Sequence, residues 1–184
     1  MIPNDAFSCQ VRVLKESGVA HMVTGSVAST YHGISRATLD VDMVIDPKPD
    51  QIVRLVSLLS ENGFYVSGQN AAAALRSRTQ FNVIHMESVW KIDLIIRKDR
   101  PFSQSEFDRR QPATILGTDT FVATAEDLIL AKLEWSKTSS SSQQRRDIQG
   151  IIEIMGDSLD KVYLEKWANE LEVLESWSQL NWKV

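Results

Sequence analysis

Two aspartates stand two residues apart in Leu39-Asp40-Val41-Asp42-Met43-Val44-Ile45. The apolar and β-branched residues around them read as a strand, in which side chains alternate between two faces. Asp40 and Asp42 then share one face, while Leu39, Val41, Met43 and Ile45 share the other. Aspartate is a poor strand former, and two on one face repel each other unless a cation lies between them. Two readings stand: a solvated sheet edge, which alternating strands commonly present, or a divalent-cation site. A second segment, Val89 to Ile96, sets Trp90, Ile92, Leu94 and Ile96 on one face and Asp93 on the other. If the two strands are neighbours, three carboxylates converge. Oxygen ligands without histidine favour Mg²⁺ or Mn²⁺ over zinc.

Upstream, Val23-Thr24-Gly25-Ser26 reads as a strand running into a small-residue turn and then a helix. A glycine there lets the backbone approach a ligand, and the helix N-terminus offers free N–H groups to an anion. Ser26 adds a hydroxyl donor. Alone, Gly-Ser is a common turn. Beside a carboxylate triad it forms the equipment of phosphoryl or nucleotidyl transfer.

Gly25-Ser26, thirteen residues, then Asp40-Val41-Asp42-Met43, with Asp93 on a later strand, resembles the signature of the polymerase-β-like nucleotidyltransferase superfamily. The approach Arg36-Ala37-Thr38-Leu39-Asp40 is similar to its small prokaryotic subset, which includes the toxin-type members of toxin–antitoxin systems. So is the stretch Ala125 to Leu133 followed by Arg145-Arg146-Asp147-Ile148. The resemblance covers residues 19–154 and implies a mixed α/β sheet with flanking helices. It implies that Asp40, Asp42 and Asp93 hold Mg²⁺ or Mn²⁺ and act in catalysis. Gly25 and Ser26 would hold the terminal phosphates of an NTP, Lys132 would reach those phosphates, and Arg36 and Thr38 would shape the rim. Arg146 would contact the nucleotide or pair with Asp147 or Glu153. The implied reaction moves an NMP from an NTP to a hydroxyl acceptor: a tRNA end, a protein side chain or a small molecule. An antitoxin-type protein is the implied partner. Competing readings are a non-catalytic nucleotide- or partner-binding module on the same fold, and an interaction protein using its acidic tail. That tail, from Glu153 to Glu175, carries seven acidic residues against Lys161 and Lys166. The presence of all three aspartates favours the enzyme.

The elements that must position these residues follow from periodicity. Helices are expected over 5–17, 26–31, 51–61, 71–75, 124–137, 144–155 and 159–171, and a last one over 172–182. Strands are expected over 19–23, 39–45, 64–66, 80–86, 89–97 and 121–124. Thr124-Ala125-Glu126-Asp127 has the chemistry of a helix start, an N-cap threonine followed by acidic residues. Pro47 and Pro49 read as a break, and Thr138 to Ser142 as a polar linker. The division expected is an α/β core over 1–123 and a helical region over 124–184 that closes the cleft.

The 184 residues suit one compact domain, and 43% hydrophobic with 24% charged residues suits a globular chain. One cysteine, Cys9, excludes an internal disulfide and a Cys-rich zinc site. No apolar run approaches a membrane span and no secretory signal is visible, so a cytoplasmic protein without a membrane partner is expected. The net charge of −4 confines any nucleic-acid contact to a local patch. Arg97, Lys98, Arg100, Arg109 and Arg110 could form one, although solvated surface is the plainer reading. His21 reads as strand-buried, His32 and His85 as surface. The tail tryptophans Trp167, Trp177 and Trp182 read as packing residues.

Overall fold

The computed structural model describes residues 4–34, 40–137 and 142–180. The expected Arg36, Thr38, Leu39 and Trp182, and most of the polar linker, lie outside them. The chain runs α1 (Asn4–Glu16), β1 (Ala20–Thr24), α2 (Gly25–Tyr31), β2 (Asp40–Asp46), α3 (Pro49–Glu61), β3 (Phe64–Val66) and α4 (Gly68–Ser77). It continues with β4 (Gln80–His85), β5 (Trp90–Ile96), α5 (Pro101–Asp108), β6 (Gln111–Ile115) and β7 (Thr118–Val122). The helices α6 (Ala125–Ser136), α7 (Ser142–Met155), α8 (Lys161–Glu170) and α9 (Leu174–Ser178) complete it, with a short 3₁₀ turn over Gly156–Ser158. This is the expected fold class, a mixed sheet flanked by helices with helices at the C-terminal end.

The sheet order is β3-β4-β5-β2-β1-β7-β6. The central pair β2 and β5 is parallel, β1 runs antiparallel to β2, and β7 lies parallel to β1. One face carries Val23, Val41, Met43, Ile45, Phe81, Val83, Ile92, Leu94 and Ile96 into the main core. They meet Phe7 and Leu14 of α1, Leu55 and Leu59 of α3, and Ala71 and Ala74 of α4. Each fully buried Leu or Phe there contributes about 1.5–3 kcal/mol relative to exposure. The opposite face holds a smaller cluster, Met22, Val44, Phe107 and Ala123, through which α5 packs on the sheet.

Some elements depart from expectation. Pro49 does not break the chain but opens α3 from its first turn, where the missing N–H costs nothing. Pro101 does the same for α5, which the periodicity did not predict. The unpredicted β6 is a sheet-edge strand containing Pro112, a residue tolerated in strands only at edges. Leu116 and Gly117, at φ 50° and 74°, turn it into β7, the left-handed pair that suits a tight hairpin. His32 is buried rather than on the surface, its Nε2 2.8 Å from the Ala123 carbonyl oxygen. His21 is buried as expected and lies 3.2 Å from Thr120 Oγ1. Thr124 caps α6, its hydroxyl oxygen accepting from the Asp127 N–H at 3.2 Å. Trp167 is buried and Trp177 packs against the core.

Candidate active site

The register of three strands assembles the site. Thr24 at the end of β1 lies opposite Asp42, and Asp42 lies opposite Asp93. Cross-strand partners share a face, so Thr24, Asp42 and Asp93 come together on the face opposite the main core, with Gly25 packed against Asp42. Asp40, opposite Lys91, stands one strand step before Asp42 on that face. The expected parity of both strands is present: Val41 and Met43 are fully buried, and so are Ile92 and Leu94.

Gly25 does more than free the backbone for a ligand. It sits at φ +62°, and a Cβ there would fall on Asp42 Oδ2 and 2.8 Å from its Cγ. The glycine is therefore required by the aspartate as well as by the turn. Thr24 occupies the N-cap position of α2 without a side-chain cap bond. Ser26 is thus the second residue of the helix and not its cap.

Asp42 carries the electrostatic strain of the site. Burial first, then repulsion from Asp40 and Asp93, push its carboxyl up to about 6, while Lys132 and Lys91 oppose the rise. Asp93 is buried and differently held: Asn82 Nδ2 donates to Oδ1, and Lys91 Nζ donates to Oδ2 at 2.9 Å. Asn82 is its cross-strand partner on β4. Among the described residues, no three His, Cys, Asp or Glu side chains stand grouped as a ready metal site.

A cleft of about 410 Å³ opens over these residues, lined among others by Gly25, Ser26, Asp42, Asp93, Lys132 and Gln144. Lys132 is only 5% exposed. It donates to Asp147 at 2.9 Å and Gln144 at 3.0 Å, which ties α6 to α7. Arg146 donates to Gln143 at 2.8 Å.

The basic cluster is neither a plain solvated surface nor an open patch. Arg97 pairs with Asp46 at 3.0 Å, Arg100 forks onto Glu134, and Arg109 pairs with Asp127 at 3.1 Å. Arg97, Lys98 and Arg100 reach the cleft wall, as do Arg78 and Glu106. Sequence reasoning had passed over Asn82, Lys91 and Glu106. The available signal was positional: Asn82 and Lys91 alternate with apolar residues, and Glu106 stands beside Phe102, Ser103 and Phe107 on the buried side of α5.

No protein-family model matches the sequence, and no curated protein matches it. Solved structures do. The antibiotic-resistance factor ANT(2'')-Ia superposes with a TM-score of 0.64 at 11% identity, over 95% of this chain and 96% of that one. An antigenic nucleotidyltransferase-like protein from Paracoccidioides brasiliensis gives 0.59 at 16%, over 95% and 89%. The lincosamide antibiotic adenylyltransferase LnuA gives 0.57 at 12%, over 83% and 98%. At such identities the likeness is one of architecture, so the chain has the nucleotidyltransferase fold, and the narrower toxin-type likeness rests on the sequence alone.

Proposed function

We propose that this protein is a metal-dependent nucleotidyltransferase that moves an NMP from an NTP to a hydroxyl acceptor with release of pyrophosphate. The observation that carries the reading is the register that sets Asp42 beside Asp93, with Gly25 against Asp42, at the wall of one cleft. LnuA, named an adenylyltransferase, supports the same reaction class.

The residues fit a divalent cation. Asp40, Asp42 and Asp93 are oxygen donors of like charge, and Asp42 is raised by burial and then by its acidic neighbours, a cost that a cation offsets. Lys91, half exposed, can release Asp93 to solvent or substrate. Bound there, Mg²⁺ would neutralise triphosphate charge and favour the deprotonated acceptor hydroxyl. The protein's own part is positional. Gly25 keeps the turn open beside Asp42, and Ser26 donates to a phosphate oxygen. Lys132, steered by Asp147, faces the triphosphate. Arg36 and Thr38 belong to the proposed rim. The attacking oxygen bonds to the α-phosphorus as the bond to pyrophosphate breaks. Helices α6 to α9 form the proposed second unit, 124–184, against the 1–123 core. An NTP substrate implies a cytoplasmic setting, and the toxin-type resemblance extends the proposal to a protein partner of antitoxin type.

Incubation with each labelled NTP, Mg²⁺ and fractions of cellular RNA, protein and small molecules tests the reading. Label transfer with pyrophosphate release is expected, abolished in Asp42→Asn. Equal turnover by that variant, or no binding of any NTP, would overturn it.

A further inference from the structure

The aspartates share their face of the central strand pair with one cation. Asp40 stands opposite Lys91, and Asp42 opposite Asp93. Neighbouring parallel strands lie about 4.8 Å apart, and two residues of strand advance about 6.6 Å. Three carboxylates and one ammonium therefore rise from the corners of a single small rectangle, on the face opposite the main core.

Asp93 is the fixed corner. Its side chain is 9% exposed, and Asn82 Nδ2 donates to Oδ1. The second oxygen, Oδ2, takes the Lys91 ammonium at 2.9 Å. Lys91 is the movable corner, with a side chain 46% exposed. On a flexible four-carbon stem, its ammonium can reach water without any shift of the strand. That ammonium also feels the charges of Asp40 and Asp42. Among the described residues, no other cation forms an ion pair with Asp42 or Asp93. Neighbouring cations of the cleft pair with acids outside the rectangle: Arg78 with Asp99, Arg97 with Asp46, Arg100 with Glu134 and Lys132 with Asp147. Lys91 is thus the positive charge that the fold sets among the aspartates, at the oxygen a divalent cation would need.

We propose that Lys91 is a tethered counter-ion that competes with the divalent cation for Asp93 Oδ2. Its ammonium holds the aspartates together when no ion is bound and swings out to water when one is. Two cations on one carboxylate oxygen repel each other, so the exchange is one for the other. Lys91 therefore offsets part of the repulsion among the three carboxylates, and it lowers their affinity for the ion. The inference rests on the metal-dependent transfer reading and adds to it a residue that regulates loading of the site.

Titration of the full chain with Mn²⁺, following the paramagnetic resonance signal of the free ion, measures affinity without turnover. Lys91→Met removes the charge and keeps the bulk of the stem. It should bind Mn²⁺ roughly ten- to a hundredfold more tightly than wild type, the worth of a charge-assisted hydrogen bond. Lys91→Arg keeps the charge and should stay near wild type. Lys98→Met removes a cleft charge that lies past the end of β5 and should also stay near wild type. Displacement is read directly on the wild type by acetic anhydride labelling and mass spectrometry. Lys91 should be acetylated faster with Mn²⁺ than in chelator, relative to the exposed Lys48. Unchanged affinity in Lys91→Met, an equal gain in Lys91→Arg or Lys98→Met, or Lys91 labelling indifferent to Mn²⁺ would each overturn the proposal. If Lys91→Met does not fold, the wild-type labelling decides. The same samples are titrated with Mn²⁺ in the presence of each NTP. Absence of Mn²⁺ binding in every sample sinks the metal-dependent reading and this inference with it, whereas Mn²⁺ binding without the Lys91 effects sinks this inference alone.

Discussion

Asp42 bears a cost in the fold that its proposed ligand would remove. Its carboxyl lies at about 6 against an ordinary value of 3.8. The ionised form is therefore disfavoured in the folded chain. The penalty is absent below about pH 4, grows between the two values and is complete above 6. At roughly 1.4 kcal/mol per unit it amounts to on the order of 2–3 kcal/mol. Asp42→Asn should thus be more stable than wild type at pH 7.5 in chelator, and no more stable at pH 4. Urea unfolding at both values checks this, and equal stability at pH 7.5 would show that Asp42 is not strained. The same variant should lose the stabilisation that Mg²⁺ with NTP confers on wild type, about 2.7 kcal/mol at a hundredfold excess over the dissociation constant. Gly25 and Ser26 separate structure from binding. Gly25→Ala places a methyl on Asp42 at φ +62° and should cost at least the 1–2 kcal/mol or so of a left-handed alanine. Because Thr24 holds the N-cap position, Ser26→Ala should leave the melting temperature nearly unchanged. It should still weaken NTP binding roughly ten- to a hundredfold. Unchanged NTP affinity in Ser26→Ala would refute the phosphate contact even if the aspartates bind metal.

At the scale of elements, α6 is the hub of the C-terminal half. Leu128, Ile129, Leu130 and Leu133 are all buried, an arc wider than one amphipathic stripe, because α2, α7 and α8 all pack on it. Two polar ties join it to its neighbours. At its N-terminal end, Asp127 takes a hydrogen bond from Tyr163 of α8 at 2.6 Å and an ion pair from Arg109, whose guanidinium lies 3.9 Å over the Tyr163 ring. Nearer its C-terminal end, Lys132 meets Asp147 of α7, with side chains 6% and 1% exposed. Removing one partner of such a buried pair leaves an uncompensated charge. Asp147→Ala should therefore cost about 3–5 kcal/mol. The double variant Lys132→Met with Asp147→Leu should recover most of that stability yet bind NTP more weakly. A double-mutant cycle by denaturant unfolding, with NTP titration on each member, measures both. Additive stability effects would mean that the pair is not coupled.

For the whole molecule, the two raised carboxyls set the direction of its pH response. Glu106 at about 8 and Asp42 at about 6 hold protons in the folded chain that the unfolded chain releases near 4. Stability therefore falls as pH rises through those windows. His21 acts oppositely, since burial lowers it and the unfolded chain gains its proton first, so its contribution is lost as pH falls below about 6.5. Between pH 6.5 and 8.5 the largest change among these three in the folded chain is that of Glu106. The wild type should lose stability over that range, and Glu106→Gln should flatten the slope. Melting curves across the range decide it, and a flat wild-type profile would remove Glu106 from the account.

What the sequence determined by itself is whatever a period of two or 3.6 can express. The parity of Asp40 and Asp42 against Val41 and Met43, and of Asp93 against Ile92 and Leu94, needed only a strand and its alternation. The start of α6 needed only Thr124 and the Asp127 N–H three residues on. Such features are local, so composition and spacing carry them. Contacts between distant segments were decided by the tertiary structure. That Asp42 lies opposite both Thr24 and Asp93 depends on strand order and register, which no single strand encodes. That Gly25 exists partly to make room for Asp42 depends on the same register. The burial of Lys132 depends on α7, which brings Asp147 to it. The burial of Glu106 depends on α5 lying against Val44 and Met22 of the sheet. Burial is a property of what packs on a residue, and for these side chains every packing element comes from elsewhere in the chain.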